Sequence, residues 1–204
     1  MRFGKLKLKQ RFLVLGVAVA APAAVLVGLM APSGSAANAN VVHPATSVTY
    51  YTTFYGWVDN SPPGPAIAYT GCTTPGGQKV KSDDYTGSNG TYNDPIVVAW
   101  PNDLNGPWCQ IGYVPFLKKY FIHADQCNPC GGVNTDHWDL WMGGDKNSTS
   151  NPEKKALLAC EDKWTGHNTV ILNATSGEPV DTTPLFTPPT TCHGGTGDSR
   201  GGGS

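Results

Sequence analysis

The chain has 204 residues, enough for one domain and short for two. Charged residues make 14% of it, against about 25% in ordinary domains, and 25 Gly with 17 Pro point to turn-rich β structure, which excludes a helical bundle, a coiled coil or a charged disordered chain. The net charge of −1 is misleading: Arg2, Lys5, Lys7, Lys9 and Arg11 lie in the first eleven residues, and beyond residue 39 the other 9 cations face all 15 acids, a net of −6 that leaves no basic stripe for nucleic acid.

Residues 1–39 read as a secretory signal. A basic stretch to Arg11 is followed by the apolar run Phe12–Ala31, and Ala37-Asn38-Ala39 offers a small-residue cleavage site. Twenty mostly apolar residues could instead span a bilayer, but Pro22 and the small-residue tail Ser33–Ala37 favour cleavage. No second apolar run of that length follows, so the expectation is an exported protein, free of the membrane after cleavage.

Residues 40–46 read as a linker. From Ser47 the run Val48–Tyr55 is almost entirely β-branched or aromatic and stops at Gly56, the composition of a strand. Further short strands are predicted at Ile96–Trp100, Ile111–Val114, Tyr120–His123, Trp138–Met142 and Thr169–Leu172, separated by Gly, Pro, Asn and Asp. The interval 56–94 is long for a loop, and such loops are functional or hide a short element. One helix is expected, with Asn151 as its cap, Pro152 at its first position, Glu153 at its positive end and Ala156–Cys160 on its apolar face. After Asp181 the chain turns Thr/Pro-rich and is expected to be extended or disordered, apart from Cys192 if it is bridged, with 193–204 a Gly-rich disordered tail. Six strands, one short helix and long loops predict a mainly β fold, a small closed barrel over 47–192.

All six cysteines, Cys72, Cys109, Cys127, Cys130, Cys160 and Cys192, lie beyond the leader. An even number in an exported chain points to disulfides, with fifteen possible pairings. The alternative is zinc held by His123, Cys127, Cys130 and His137, since Cys127-Asn128-Pro129-Cys130 has ligand spacing; export favours oxidation over metal.

Three aspartates stand at informative places. Asp94 precedes Pro95 at a strand entry, Asp125 follows the strand Tyr120–His123, and Asp139 sits inside His137-Trp138-Asp139-Leu140-Trp141-Met142. Strands are poor in Asp, and burying its charge is costly. A desolvated Asp139 would stay protonated near neutrality, as a general acid must; strand alternation that turns it to water would explain it equally simply. Asp before Pro is often only a turn or strand-entry residue.

Thr53-Phe54-Tyr55-Gly56 followed by His137-Trp138-Asp139-Leu140 resembles the Thr-Phe-Tyr-Gly and His-Phe-Asp-Leu pair of expansins. Family-45 endoglucanases share the second motif, with Asp as proton donor. The series Asp94-Pro95, Asp125, Asp139-Leu140 is also similar to the three-aspartate ("3D") domain of muralytic enzymes related to the lytic transglycosylase MltA. Asp125-Gln126-Cys127 replaces the usual Asp-Thr-Gly of that domain, and in place of a clear family-45 base there is only Asp59 nearby.

The resemblance spans about 47–144 and implies a six-stranded double-psi β-barrel. It implies an extracellular protein that cleaves or loosens cell-wall polysaccharide, either peptidoglycan or a β-glucan. Asp139 would be the general acid and Asp125 its base or electrostatic partner across a groove. Tyr55 and Trp57, flanking Gly56, would meet sugar rings, and Asp94 is a further candidate for substrate binding. No cofactor or metal is implied, and nothing demands more than a monomer. Two rival functions are a non-catalytic expansin-like binder and a secreted inhibitor or interaction protein that uses the 56–94 loop.

Overall fold

The computed structural model describes residues 43–80, 88–101, 107–127, 130 and 136–194. The predicted leader and most of the Gly-rich tail lie outside them. Six strands close into a barrel: β1 (Thr46–Gly56), β2 (Ile96–Trp100), β3 (Ile111–Val114), β4 (Lys119–Gln126), β5 (His137–Gly143) and β6 (Gly166–Leu172). The order around the barrel is β1-β5-β2-β4-β3-β6, and β6 pairs back onto β1. β1–β5 and β2–β4 are parallel, while the other four contacts are antiparallel.

Period-2 burial explains β1. Tyr50, Thr52 and Phe54 face inward, with Thr49, Tyr51 and Thr53 more exposed between them. Closing the barrel abolishes sheet edges, and β2 is buried at every residue. The interior is aromatic: Tyr50, Trp100 and Trp138 meet edge to face with centroids 5.5–6.1 Å apart. Gly112 on β3 makes room for this cluster, since a Cβ there would collide with the Trp138 ring.

The predicted strands recur, mostly longer than their local signals. β4 extends past His123 and carries Asp125 within it, because the ladder to β2 continues to Trp100 and Gln126. Pairing overrides the poor strand propensity of Asp here. β6 starts three residues early, where Gly166 pairs with Thr52.

Helix α1 (Glu153–Trp164) buries Glu153, Leu157, Cys160 and Glu161 on one face. Its N-cap is Pro152, without a side-chain capping bond, so the expected Asn151 cap lies one residue too early. The segment after Asp181, expected to be extended or disordered, is ordered to Gly194. It forms the hairpin β7 (Phe186–Thr187) and β8 (Thr191–Cys192), buries Leu185 and Phe186, and is bonded through Cys192 to Cys160 on α1. The other disulfides are Cys72–Cys109 and Cys127–Cys130. No helix among the described residues is long and apolar enough to cross a membrane.

Candidate functional site

Asp125 and Asp139 are fourteen positions apart in sequence but share one neighbour. Ala99 on β2 is in register with Asp125 on parallel β4 and with Asp139 on antiparallel β5. In-register residues turn to the same face of a sheet, so the two carboxylates flank Ala99 with one strand between them. That is two strand spacings, or roughly 10 Å between backbones. A groove of about 500 Å³ opens there, lined by Tyr55, Asp59, Ala99, Asp125, Cys127 and Asp139 among others. A second cavity, of about 400 Å³, lies between the end of β5 and the β7–β8 hairpin, with Asp145 as its one carboxylate among the described residues.

The two aspartates are held differently. Asp125 accepts from the Tyr55 hydroxyl at 2.9 Å on Oδ2, and from the amides of Ala68 (2.9 Å) and Gln126 (2.8 Å) on Oδ1. Three convergent donors suit a carboxylate. Asp139 accepts from the Thr53 hydroxyl, 2.6 Å from Oδ1, while its Oδ2 lies 4.0 Å from the Cys127 sulfur. Burial pushes the Asp139 carboxyl up to about 7, opposed by the Thr53 bond and aided by the charges of Asp59 and Asp125. It therefore retains its proton close to neutrality, the first of the two states its sequence surroundings left open.

A further carboxyl group closes the cluster from outside the barrel. Glu161 on α1 is buried, and its pKa is pushed up to about 10 by burial, then by the charge of Asp59 and a hydrogen bond with it, with smaller contributions from Asp139 and Asp162. A neutral Glu161 donates to Asp59, whose Oδ1 also accepts from the Gly56 amide at 2.8 Å. Glu161 escaped the sequence reading. The available signal was an acid at helical spacing from Leu157, on the face where apolar side chains belong.

The remaining predicted residues divide. Tyr55 does line the groove, but it is buried and its hydroxyl binds Asp125, so it positions that carboxylate and offers no open stacking face. Trp57 is half-buried beside Gly144 and is absent from the groove lining. Asp94 lies elsewhere: it accepts from the Asn89 amide and borders a separate 150 Å³ pocket with Thr74 and Lys79, the turn role an Asp before Pro commonly takes. The exposed aromatic near the groove is one the sequence did not single out. Tyr69 follows groove residue Ala68 and stacks on Trp108, with centroids 4.9 Å apart.

The four residues considered for zinc are not gathered as a set. Cys127 and Cys130 are bonded to each other, so neither offers a thiolate. The cluster around them is completed by Asp139. His123 stacks on Trp108 at 4.4 Å, with Nδ1 3.2 Å from the Pro107 carbonyl. His137 has Nε2 2.8 Å from Thr53 Oγ1 and 3.5 Å from the Cys130 sulfur, and burial lowers its pKa.

A protein-family profile, described as the DDB_G0273701 N-terminal domain, matches residues 47–193. The chain is also similar to the Dictyostelium discoideum protein named "Uncharacterized protein DDB_G0273701/DDB_G0273221", with 33% identity over 148 residues. The match covers 68% of this chain and 56% of that protein, so the chain spans about half the length of its relative. No solved structure matches the chain significantly.

Proposed function

The chain belongs to the DDB_G0273701 N-terminal domain family, and from that premise and the groove geometry we propose that it acts on extracellular cell-wall polysaccharide, with Asp139 as general acid. The observation that carries this reading is a buried carboxyl, pushed up to about 7, facing an open groove across Ala99 from a second carboxylate with three donors. Protonated Asp139 would give its proton to the glycosidic oxygen as the bond breaks.

Among hydrolytic routes, aspartates set on either side of a whole strand suit inversion, which needs room for a water between them. An inverting enzyme needs its carboxyl groups about 6.5–9.5 Å apart so that water fits between them, and a retaining one about 5–5.5 Å. Asp125 is then the base, with Asp59, which also lines the groove, as the alternative. A lytic transglycosylase would use Asp139 alone, first as acid and then as base. The mixed barrel, with β1 parallel to β5 and β2 parallel to β4, supports a double-psi fold of the expansin kind. Three disulfides suit an exported protein.

The test compares the protein with its Asp139→Asn variant on peptidoglycan and a panel of β-glucans, reading soluble products by mass spectrometry. Reducing oligosaccharides that disappear in the variant support hydrolysis, and anhydro-muropeptides that disappear support transglycosylation. No product from any polymer, with binding retained by both proteins, overturns acid catalysis and leaves an expansin-like binder.

A further inference from the structure

The disulfide between Cys127 and Cys130 differs from the other two in what it closes and what surrounds it. Cys72–Cys109 and Cys160–Cys192 link residues 37 and 32 positions apart. Such loops restrict the unfolded chain substantially, which is how a structural disulfide stabilises. Cys127–Cys130 spans only 3 positions and restricts little. The long-range pairs are also placed as staples: one ties the 56–94 loop to the segment before β3, the other ties the hairpin to α1.

The short pair instead sits among proton-carrying groups. Asp139 Oδ2 is 4.0 Å from the Cys127 sulfur, and His137 Nε2 is 3.5 Å from the Cys130 sulfur. Thr53 Oγ1 touches both partners, at 2.6 Å from Asp139 and 2.8 Å from His137. Each sulfur thus lies beside a titratable side chain, and one hydroxyl joins the two. Cys127, 4% exposed, lines the groove, the side from which a thiolate would approach its sulfur. Thiol–disulfide exchange requires such access and a means of protonating the departing sulfur.

We propose that Cys127–Cys130 is a thiol–disulfide exchange site opening onto the groove, taking a dithiol as its reducing substrate, with Asp139 as the proton donor and acceptor for Cys127. A thiolate of the dithiol attacks Cys127 Sγ, forming a mixed disulfide and releasing Cys130 as a thiolate, which takes the proton that the donor's second thiol gives up. The second thiolate of the donor attacks the donor's own sulfur in that mixed disulfide. Cys127 leaves and takes its proton from Asp139, which regains one from solvent in place of the proton the donor's first thiol shed on ionising. The donor ends as a cyclic disulfide and the protein as a dithiol, two electrons and two protons having passed from one to the other. The reverse sequence oxidises a dithiol. This activity does not depend on glycan cleavage, although it shares Asp139 with the proposed acid.

The native full-length protein is exposed to dithiothreitol, quenched at intervals by alkylation, and mapped by peptide mass. The expected result is reduction of Cys127–Cys130 at least tenfold faster than either long-range disulfide. Asp139→Asn should slow that reduction about tenfold and leave the other two rates unchanged, which also shows that the variant is folded. A second pair of variants identifies the attacked sulfur. Cys130→Ser should capture 5,5′-dithiobis(2-nitrobenzoate) as a mixed disulfide at Cys127 faster than Cys127→Ser captures it at Cys130. Reduction of all three pairs together overturns the proposal. So does an unchanged rate in Asp139→Asn with its other disulfides protected. Polysaccharide products play no part in these readouts, so either reading can fail while the other stands.

Discussion

The hydroxyl of Thr53 donates to Oδ1 of Asp139 across 2.6 Å, between residues directly paired on parallel strands β1 and β5. The bond favours the charged form of Asp139 and opposes the burial that raises its pKa. The acidity of the candidate catalyst is therefore a balance between desolvation, reinforced by the charges of Asp59 and Asp125, and one hydroxyl.

Replacing Thr53 by Val keeps the β-branched shape and removes the donor. A hydrogen bond to a charged group contributes about 1.5–3 kcal/mol, so the Asp139 pKa should rise by roughly one unit or more in Thr53→Val. Carboxyl NMR titration of the two proteins measures this directly, and an unchanged midpoint would deny the bond its role.

Stability should decline as pH rises. The Asp139 carboxyl lies at about 7 in the fold against about 3.9 in an unfolded chain. Between those values the native state holds a proton that the unfolded state has released, so stability falls through that window and levels off above 7. Glu161 acts in the same direction over a wider span, from about 4.3 unfolded to about 10 in the fold. Each group contributes a slope approaching about 1.4 kcal/mol per pH unit within its window. Denaturant unfolding across pH should show the steeper fall below 7, and Glu161→Gln should flatten the part above it.

Ala99 forms the floor between the two aspartates, and its small side chain keeps the groove open. Ala99→Leu should abolish polysaccharide binding, seen as lost co-sedimentation with the polymer. Overpacking typically costs about 1–3 kcal/mol, so the variant should still fold. Retained binding would place the substrate elsewhere, with the 400 Å³ cavity as the next candidate.

Gly56 lies where β1 meets α1. A Cβ there would stand 2.8 Å from the Gly143 carbonyl and 2.9 Å from a Leu157 methyl, with Glu161 Oε1 at 3.1 Å. Gly56→Ala should destabilise the protein by about 1–3 kcal/mol, measurable as a lower denaturant midpoint. It should also disturb Asp59, which accepts from the Gly56 amide.

Local pattern made much of this protein legible. The β-branched and aromatic runs located all six barrel strands, two of them, Ile96–Trp100 and Ile111–Val114, with the observed ends, because alternating burial is written into neighbouring residues. Asp139 stood out for the same reason: an acid among Trp and Leu in a strand must be paid attention by the fold, through desolvation. What local pattern cannot encode is which distant strands become neighbours. Barrel closure put β2 between β4 and β5, and so set Asp125 and Asp139 on either side of Ala99 while leaving Asp94 at a separate pocket. It turned Tyr55 from a candidate sugar platform into a donor to Asp125, and the packing of α1 set Glu161 against Asp59. The cysteine count in the sequence pointed to disulfides, but one partition among fifteen required the positions of all six sulfurs. The type of each element is determined by residues a few positions apart; the site is determined by contacts across dozens of positions, where chain closure and packing decide and composition is silent.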